Sequence, residues 1–354
     1  MKKFISFPKI GQFKNVIKTI NDRVRYDGVD ENGDAIFNRY RELPTLTFKG
    51  TVKLHGTNAG VSFNREDGMW AQSRKNIITV ENDNAGFAFF VDTNKSIFQK
   101  LFDELNDEIH FKDTDIITIF GEWFGGNIQK GVAINGLPKS FSIFAVKVTP
   151  IEVITNPESK VTAYFLNESV YSKLKSPDNN IYNTVDFENW IIEIDFNKPA
   201  EIQNKLIELT ELVEKQCPVG KAFGNDGIGE GIVWVHQSED YDTLRFKVKG
   251  EKHSSSKVKK LAPVDTEKLN SINEFLDFAV TENRLNQALE VVFTMNNEDI
   301  DIKKMGEFLK WIMSDIIAEE SDVLAKSNLE PKDIGKSVSN KARKWFLEKW
   351  NKIE

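Results

Sequence analysis

Lys53 stands at the end of a strand-like run and opens the stretch Lys53-Leu54-His55-Gly56-Thr57-Asn58. A lysine just before a glycine-containing turn has its amine presented at a strand end, and Gly56 lets the backbone bend close to a bound phosphate. Once unprotonated, such an amine is a nucleophile. Taken alone, the stretch fits a solvated lysine before a turn equally well. Its weight comes from companions ordered along the chain: Arg74 in Ala71-Gln-Ser-Arg-Lys-Asn76, Glu122 in Ile119-Phe-Gly-Glu-Trp-Phe-Gly-Gly126, Phe144 in Phe141-Ser-Ile-Phe-Ala145, Glu230 in Gly229-Glu-Gly-Ile-Val233, and Lys247 with Lys249 in Leu244-Arg-Phe-Lys-Val-Lys249. Arg74 offers a planar fork for phosphate or sugar oxygens. Strand alternation places the Lys247 and Lys249 ammonium groups on one face, and Glu230 has unusual backbone freedom between two glycines. For Phe144, one of 26 phenylalanines, a place in the core is the default.

These residues need a scaffold. From about Leu46 to Lys249 the texture is that of short β-branched and aromatic strands, as in Thr47–Lys53, Ala59–Phe63, Asp115–Phe120, Ser140–Lys147 and Gly231–Val235. Helical patches interrupt them at Ser96–Leu105 and Glu201–Lys215. Glu122 follows its apolar strand and is expected near the strand's terminus. After Lys249 the Ser- and Pro-containing segment Lys252–Asp265 reads as a linker. Beyond it Leu269, Ile272, Leu276 and Ala279, then Met305, Leu309, Ile312 and Ile316, then Val338, Ala342 and Trp345 recur at helical spacing. The expected organisation is an N-terminal extension over 1–45 packed on a mixed, largely antiparallel α+β domain over 46–252, a linker over 253–263, and a small all-helical domain over 264–354.

In this order and context the segments resemble the nucleotidyltransferase motifs of the covalent ligase and capping-enzyme superfamily. The K-x-H-G-x-N form is similar to that of RNA ligases, whereas DNA ligases generally carry an acid where His55 stands. Thr281-Glu-Asn-Arg-Leu-Asn286, inside the helical region, resembles the bacteriophage RNA ligase 2 type, and the similarity runs from about Thr51 to the C-terminus. The resemblance implies an ATP-grasp-like ligase fold and an ATP-dependent RNA ligase. In such an enzyme Lys53 takes up AMP as a lysyl-AMP, passes it to an RNA 5′-phosphate, and the activated end is joined to a 3′-hydroxyl, at nicks in duplex RNA. It implies catalytic roles for Lys53, His55, Glu230, Lys247 and Lys249. ATP contacts are implied for Lys53, Leu54, Asn58, Arg74, Glu122 at the ribose, Phe144 against adenine, Lys247 and Lys249. A hydrated Mg²⁺, with Mn²⁺ as a substitute, is implied at Glu230 and Glu122. The reference pKa of lysine is about 10.4, so the neighbouring cations Lys247 and Lys249 are expected to favour the neutral amine of Lys53. Two departures stand out: Val235, after Trp234, occupies the place of a common lysine, and an insertion before Phe144 leaves Phe141 as a second stacking candidate.

The whole chain sets outer bounds. With 354 residues, 40% hydrophobic and 29% charged, it is an ordinary globular sequence of about two domains. A formal charge of −7 argues against coating nucleic acid by bulk attraction. An RNA partner therefore needs a local patch, and the run from Arg245 to Lys260 offers seven cations against Glu251. A lone Cys217 excludes an intramolecular disulfide, and the N-terminus lacks the long apolar core of a signal peptide. No segment reaches the ~18 apolar residues of a membrane span. A monomer in a reducing cytoplasm is the expectation. Two other readings share these features: a catalytically silent RNA-binding relative, and a nucleotidyltransferase acting on DNA or another acceptor.

Overall fold

The structure is a computed structural model and describes residues 2–237, 243–253, 272–293 and 299–350. An N-terminal segment leads into α1 (Phe13–Arg25) and a hairpin of β1 (Tyr26–Val29) and β2 (Ala35–Phe37). Two sheets then form the body. The first is fully antiparallel, ordered β11 (Asn189–Asp195), β3 (Thr45–Val52), β12 (Gly231–His236), β13 (Leu244–Lys249). The second has seven strands, ordered β10 (Ile181–Asn183), β8 (Ser140–Thr149), β7 (Ile116–Phe124), β4 (Thr57–Asn64), β5 (Gly68–Ser73), β6 (Ile77–Ile78), with β9 (Tyr164–Phe165) also on β8. Only the β10–β8 pairing is parallel. Helices α2 (Phe87–Thr93) and α3 (Lys95–Ile109) cover the second sheet, α6 (Gln203–Lys215) backs the first, and α4 (Ile151–Thr155), α5 (Glu168–Tyr171) and α7 (Pro218–Ala222) are single turns in connections.

Strict alternation in the first sheet decides what faces what. Leu46, Phe48 and Val52 of β3, Ile232 and Trp234 of β12, and Phe246 and Val248 of β13 point to one side, into a core completed by α1 and α6. The intervening Thr47, Lys49, Thr51, Val233, Val235, Arg245 and Lys247 therefore face the opposite side, towards the second sheet, and line a cavity between the two. The second sheet has its own outer core, with Val61, Ile119, Phe141 and Ile143 under Phe87, Phe98 and Phe102. Its inner face carries Phe120 and Ala145, capped by Ile5 and Phe7 of the N-terminal segment. The extension is thus part of the wall. Gly11 bridges β13, accepting from the Lys247 N–H at 2.9 Å.

Four further helices follow: α8 (Ile272–Ala279), α9 (Glu282–Val292), α10 (Met305–Lys326) and α11 (Pro331–Trp350). Leu276, Ala279, Ile312, Ile316, Val338 and Ala342, picked out by their spacing, are all buried in one cluster, and Ile272, Met305, Leu309 and Trp345 pack against it partly buried. The fold class is mixed α+β, as expected from the strand and helix texture. Leu269, the 254–263 part of the expected linker, the 264–271 start of the expected helical domain and the cations Lys257, Lys259 and Lys260 lie outside the described residues. Among the described residues no helix is long and apolar enough to cross a membrane.

Candidate active site

Lys53 is the first residue after β3, and its turn packs directly on β7. A Cβ on Gly56 would lie 2.2 Å from the Trp123 carbonyl oxygen, so no other residue fits this approach. The turn is tied down by the Gly56 N–H, which donates to Glu122 Oε1 at 3.0 Å. Glu122 itself stands inside β7, paired with Asn58 of β4, rather than at the strand's terminus as expected from the sequence; the strand runs on through Phe124. A second constrained glycine shapes the other wall. Gly231 has φ +149, and a Cβ there would meet the Val248 carbonyl oxygen at 2.1 Å, which lets the chain carry Glu230 hard against β13.

Glu230 is the hub. Its side chain is 1% exposed and accepts from Lys53 Nζ at 2.7 Å, from His55 Nδ1 at 3.0 Å and from Lys249 Nζ at 3.0 Å. Burial works against its charge, but these cations hold its carboxyl well below the usual range. It is therefore no solvated turn acid. For Glu122, burial pushes the pKa up to about 7, with Lys53 pulling the other way. His55 is only 11% exposed and burial opposes its charge, yet Glu230 on one side and Glu290 of α9, 3.6 Å from Nε2, lift it to about 9.

The electrostatics of Lys53 differ from expectation. Burial favours the neutral amine, but Glu230 and Glu122 outweigh it and raise the pKa. Lys249 and Lys247 do not supply the expected depression, since a carboxylate stands against each of them. Lys249 is paired with Glu230, and Lys247 with Glu319 of α10 at 3.2 Å. Burial lowers the pKa of Lys247 despite Glu319. Glu319 also meets Lys9 at 3.3 Å and Gln12 at 3.0 Å; burial opposes its charge, but Lys247 and Lys9 bring it down to about 2.

The cavity between the sheets has a volume of about 620 Å³ and is lined by Lys53, Asn58, Arg74, Glu122, Phe144 and Lys247 among others. Within this set, burial lowers the pKa of Arg74, with Glu122 opposing. Phe144 is separated from Phe141 by a bulge in β8, where Phe120 pairs with Ala145 and Gly121 with Ile143. The bulge turns Phe144 and Ala145 to the inner face, while Phe141 is fully buried on the outer one against Phe87 and Phe98. Leu54 is 4% exposed and belongs to the core, leaving its carbonyl, 3.5 Å from Lys53 Nζ, as the polar group it presents. Val235 faces the cavity beside Val233, and Trp234 points away beneath Gly50.

The basic run is not one continuous path. Arg245 sits over the Phe165 ring at 4.1 Å and the Phe7 ring at 5.2 Å, inside the cavity wall, while Lys247 and Lys249 are taken up by Glu319 and Glu230. Of its described cations, Lys252 alone is exposed. Sequence reasoning missed Phe7 and Lys9 in the lining, the carboxylates Glu290 and Glu319, and His253, whose ring lies 5.3 Å from that of His55. The alternation of Ile5 and Phe7 before Pro8 was a legible sign of a buried N-terminal strand-like segment. The helical carboxylates carried no local signal.

Glu122 and Glu230 are the two carboxylates near Lys53, and among the described residues no group of three or more His, Cys, Asp or Glu forms a metal cluster. Two acidic side chains suit a cation that keeps most of its waters and takes its remaining oxygens from phosphates.

No curated protein matches the chain. The fold is similar to solved structures of Naegleria gruberi RNA ligase. A mutant of that protein with ATP and Mn is 17% identical with a TM-score of 0.42. The form with PPi is 18% identical at 0.41, and a mutant with AMP and Mn is 17% identical at 0.41. In each case 71% of this chain and 57% of that one are covered, so the chain spans little more than half the length of the protein it resembles. The family described as RNA ligase matches residues 47–249, more than half of the sequence and all but the first two residues of the two-sheet body from β3 to β13. The chain belongs to the RNA ligase family.

Proposed function

We propose that this protein is an ATP-dependent RNA ligase working through a lysyl-AMP intermediate, with RNA carrying 5′-phosphate and 3′-hydroxyl ends as substrate, at nicks in duplex RNA. The observation that carries this reading is the position of Lys53 Nζ. It lies on the wall of a 620 Å³ cavity and is bonded to a carboxylate that two other cations share. Phe144 is a ring for the adenine to stack on, Glu122 and Asn58 are hydrogen-bonding groups for the ribose, and Arg74 and Lys247 meet phosphate oxygens.

In the first step the unprotonated Nζ of Lys53 bonds to the α-phosphorus, the bond to pyrophosphate breaks, and the amine's proton passes to solvent. Lys247 and Lys249 meet the charge that develops on the phosphate. Glu230 and Glu122 would hold a hydrated Mg²⁺, or Mn²⁺ in its place, whose positive charge would offset the two carboxylates that raise the pKa of Lys53. In the second step an RNA 5′-phosphate oxygen bonds to the α-phosphorus, the bond to Lys53 Nζ breaks, and the amine leaves with a proton taken up from solvent. In the third a 3′-oxygen bonds to the 5′-phosphorus, AMP leaves, and the hydroxyl proton is released to solvent. The residues act by positioning and charge neutralisation throughout.

Incubation with α-labelled ATP and Mg²⁺ followed by denaturing electrophoresis tests the reading. A covalent protein-AMP band is expected, abolished in Lys53→Ala. An unlabelled wild-type protein overturns it. Comparing nicked duplex RNA with nicked duplex DNA tests the acceptor, and sealing of DNA alone rejects RNA as substrate.

A further inference from the structure

A second cavity, of about 400 Å³, lies where the two-sheet body meets the helical region. His55, Lys130, Lys252 and His253 come from the body, and Asn286 and Glu290 from α9. It shares no lining residue with the first cavity. The hub links the two: Lys53 lines the first, His55 lines the second, and one oxygen of Glu230 lies 2.7 Å and 3.0 Å from them. The reaction centre is therefore approached from two sides. The second cavity's size falls within the ~300–1,000 Å³ usual for ligand pockets.

Polar side chains stand among Ile228, Leu289 and Ile300 in the lining, and two of them are held in place. Asn283 Nδ2 donates to the Glu251 carbonyl at 2.8 Å and Gln287 Nε2 to the His253 carbonyl at 3.3 Å, which pins α9 to the chain that leaves β13. His253 Nδ1 is buried with no hydrogen-bond partner among the described residues, a polar atom awaiting a group. Lys130 and Lys252 bring positive charge, and Asn286 brings an amide able both to donate and to accept. That combination suits a sugar hydroxyl flanked by phosphate.

Displacement at phosphorus requires the entering and leaving oxygens to lie roughly in line. If AMP departs into the first cavity, the attacking oxygen has to come from the other side of the hub. We propose that the second cavity receives the 3′-terminal nucleotide of the acceptor RNA strand, with Asn286 and His253 on its sugar and Lys130 and Lys252 on its phosphate. This assignment rests on the ligase reading above and adds to it the place of the second substrate. The helical region then supplies part of a substrate site, and α9 is the element that supplies it.

Two measurements test the assignment. A nicked RNA duplex carrying 4-thiouridine at the 3′-terminal position of the acceptor strand is photo-crosslinked to the full chain and the adduct mapped. Crosslinks to 283–290 or His253 are expected; crosslinks confined to the first cavity's residues overturn the assignment. Sealing of a pre-adenylylated nick, which bypasses Lys53 labelling, is then compared in wild type, Asn286→Ala and Lys130→Ala. The variants are expected to raise the acceptor KM at least tenfold with kcat changed less than threefold. An unchanged KM, or a loss that follows ATP labelling instead, counts against it. The two readings fail separately. Wild type that never labels with ATP yet crosslinks through 283–290 discards the ligase reading and keeps an RNA-end site. Wild type that labels but crosslinks elsewhere does the reverse.

Discussion

Glu230 and Arg284 are both charges taken almost wholly out of water, with side-chain exposures of 1% and 0%. Their surroundings differ in kind. Around Glu230 a single carboxylate holds three cationic side chains, and one of them, Lys53, forms the wall of a large cavity. Around Arg284 one guanidinium meets Asp315 at 3.0 Å, Glu320 at 3.0 Å and the Ala279 carbonyl, and those carboxylates meet Lys9 and Lys14 in turn. Arg284 lines neither of the two cavities. Charged groups that line a cavity can turn to a polyanion that enters it. A cluster set apart from both cavities joins elements, here α9 to α10 and the helical region to the N-terminal segment. Burial alone does not separate function from structure; access to a cavity does.

The comparison is most severely tested by Arg284→Met. It takes the shared guanidinium from buried Glu320 and half-buried Asp315 and is expected to cost about 3–5 kcal/mol, read by denaturant unfolding, with ATP labelling of Lys53 kept within tenfold. A folded variant that loses labelling would break the distinction between the clusters. Glu230→Gln is expected to act in the opposite manner, lowering the labelling rate by about 10²–10³, the scale for removing one charge-organising group from a reaction centre. Near-normal labelling would demote Glu230 to a structural counter-charge. Phe144→Ala sharpens the cavity side of the picture: the ATP concentration for half-maximal labelling should rise about tenfold, or ~1.4 kcal/mol, without a matching loss of stability.

The smallest expected effect is in pH. His55 has a folded-state pKa raised to about 9 by Glu230 and Glu290 against burial, above the ordinary value of 6.5. Its ion pairs therefore contribute stability that is fully present below about pH 6.5 and is lost as pH rises through about 9. The melting temperature should fall by a few degrees over that window and the slope should flatten in His55→Ala, measured by calorimetry across pH 6 to 9.5. A wild-type slope identical to the variant's would show that the tether to Glu290 carries no stability.

Much of the scaffold was readable because it rests on local periodicity. Alternation put Lys247 and Lys249 on one face, and helical spacing found the Ile312 and Ile316 stripe before any packing was known. The set Lys53, Arg74, Glu122, Phe144, Glu230, Lys247 was legible through its resemblance to the motifs of covalent ligases. Sequence alone could not decide the choice of Phe144 over Phe141, because a bulge of one residue in β8 reverses which ring faces inward. Nor could it give the state of Lys53. The charge on that amine depends on which carboxylate each neighbouring cation is spent on, and one of those, Glu319, lies 72 residues beyond Lys247 on a helix with no local mark of its role. The sequence by itself determined which groups are available and the faces that Lys247, Lys249 and the helical stripes occupy, because faces follow from backbone period. Only the tertiary structure decided the pairing of charges and the position of α9 beside His55, because electrostatic interaction falls with distance in space and takes no account of separation along the chain.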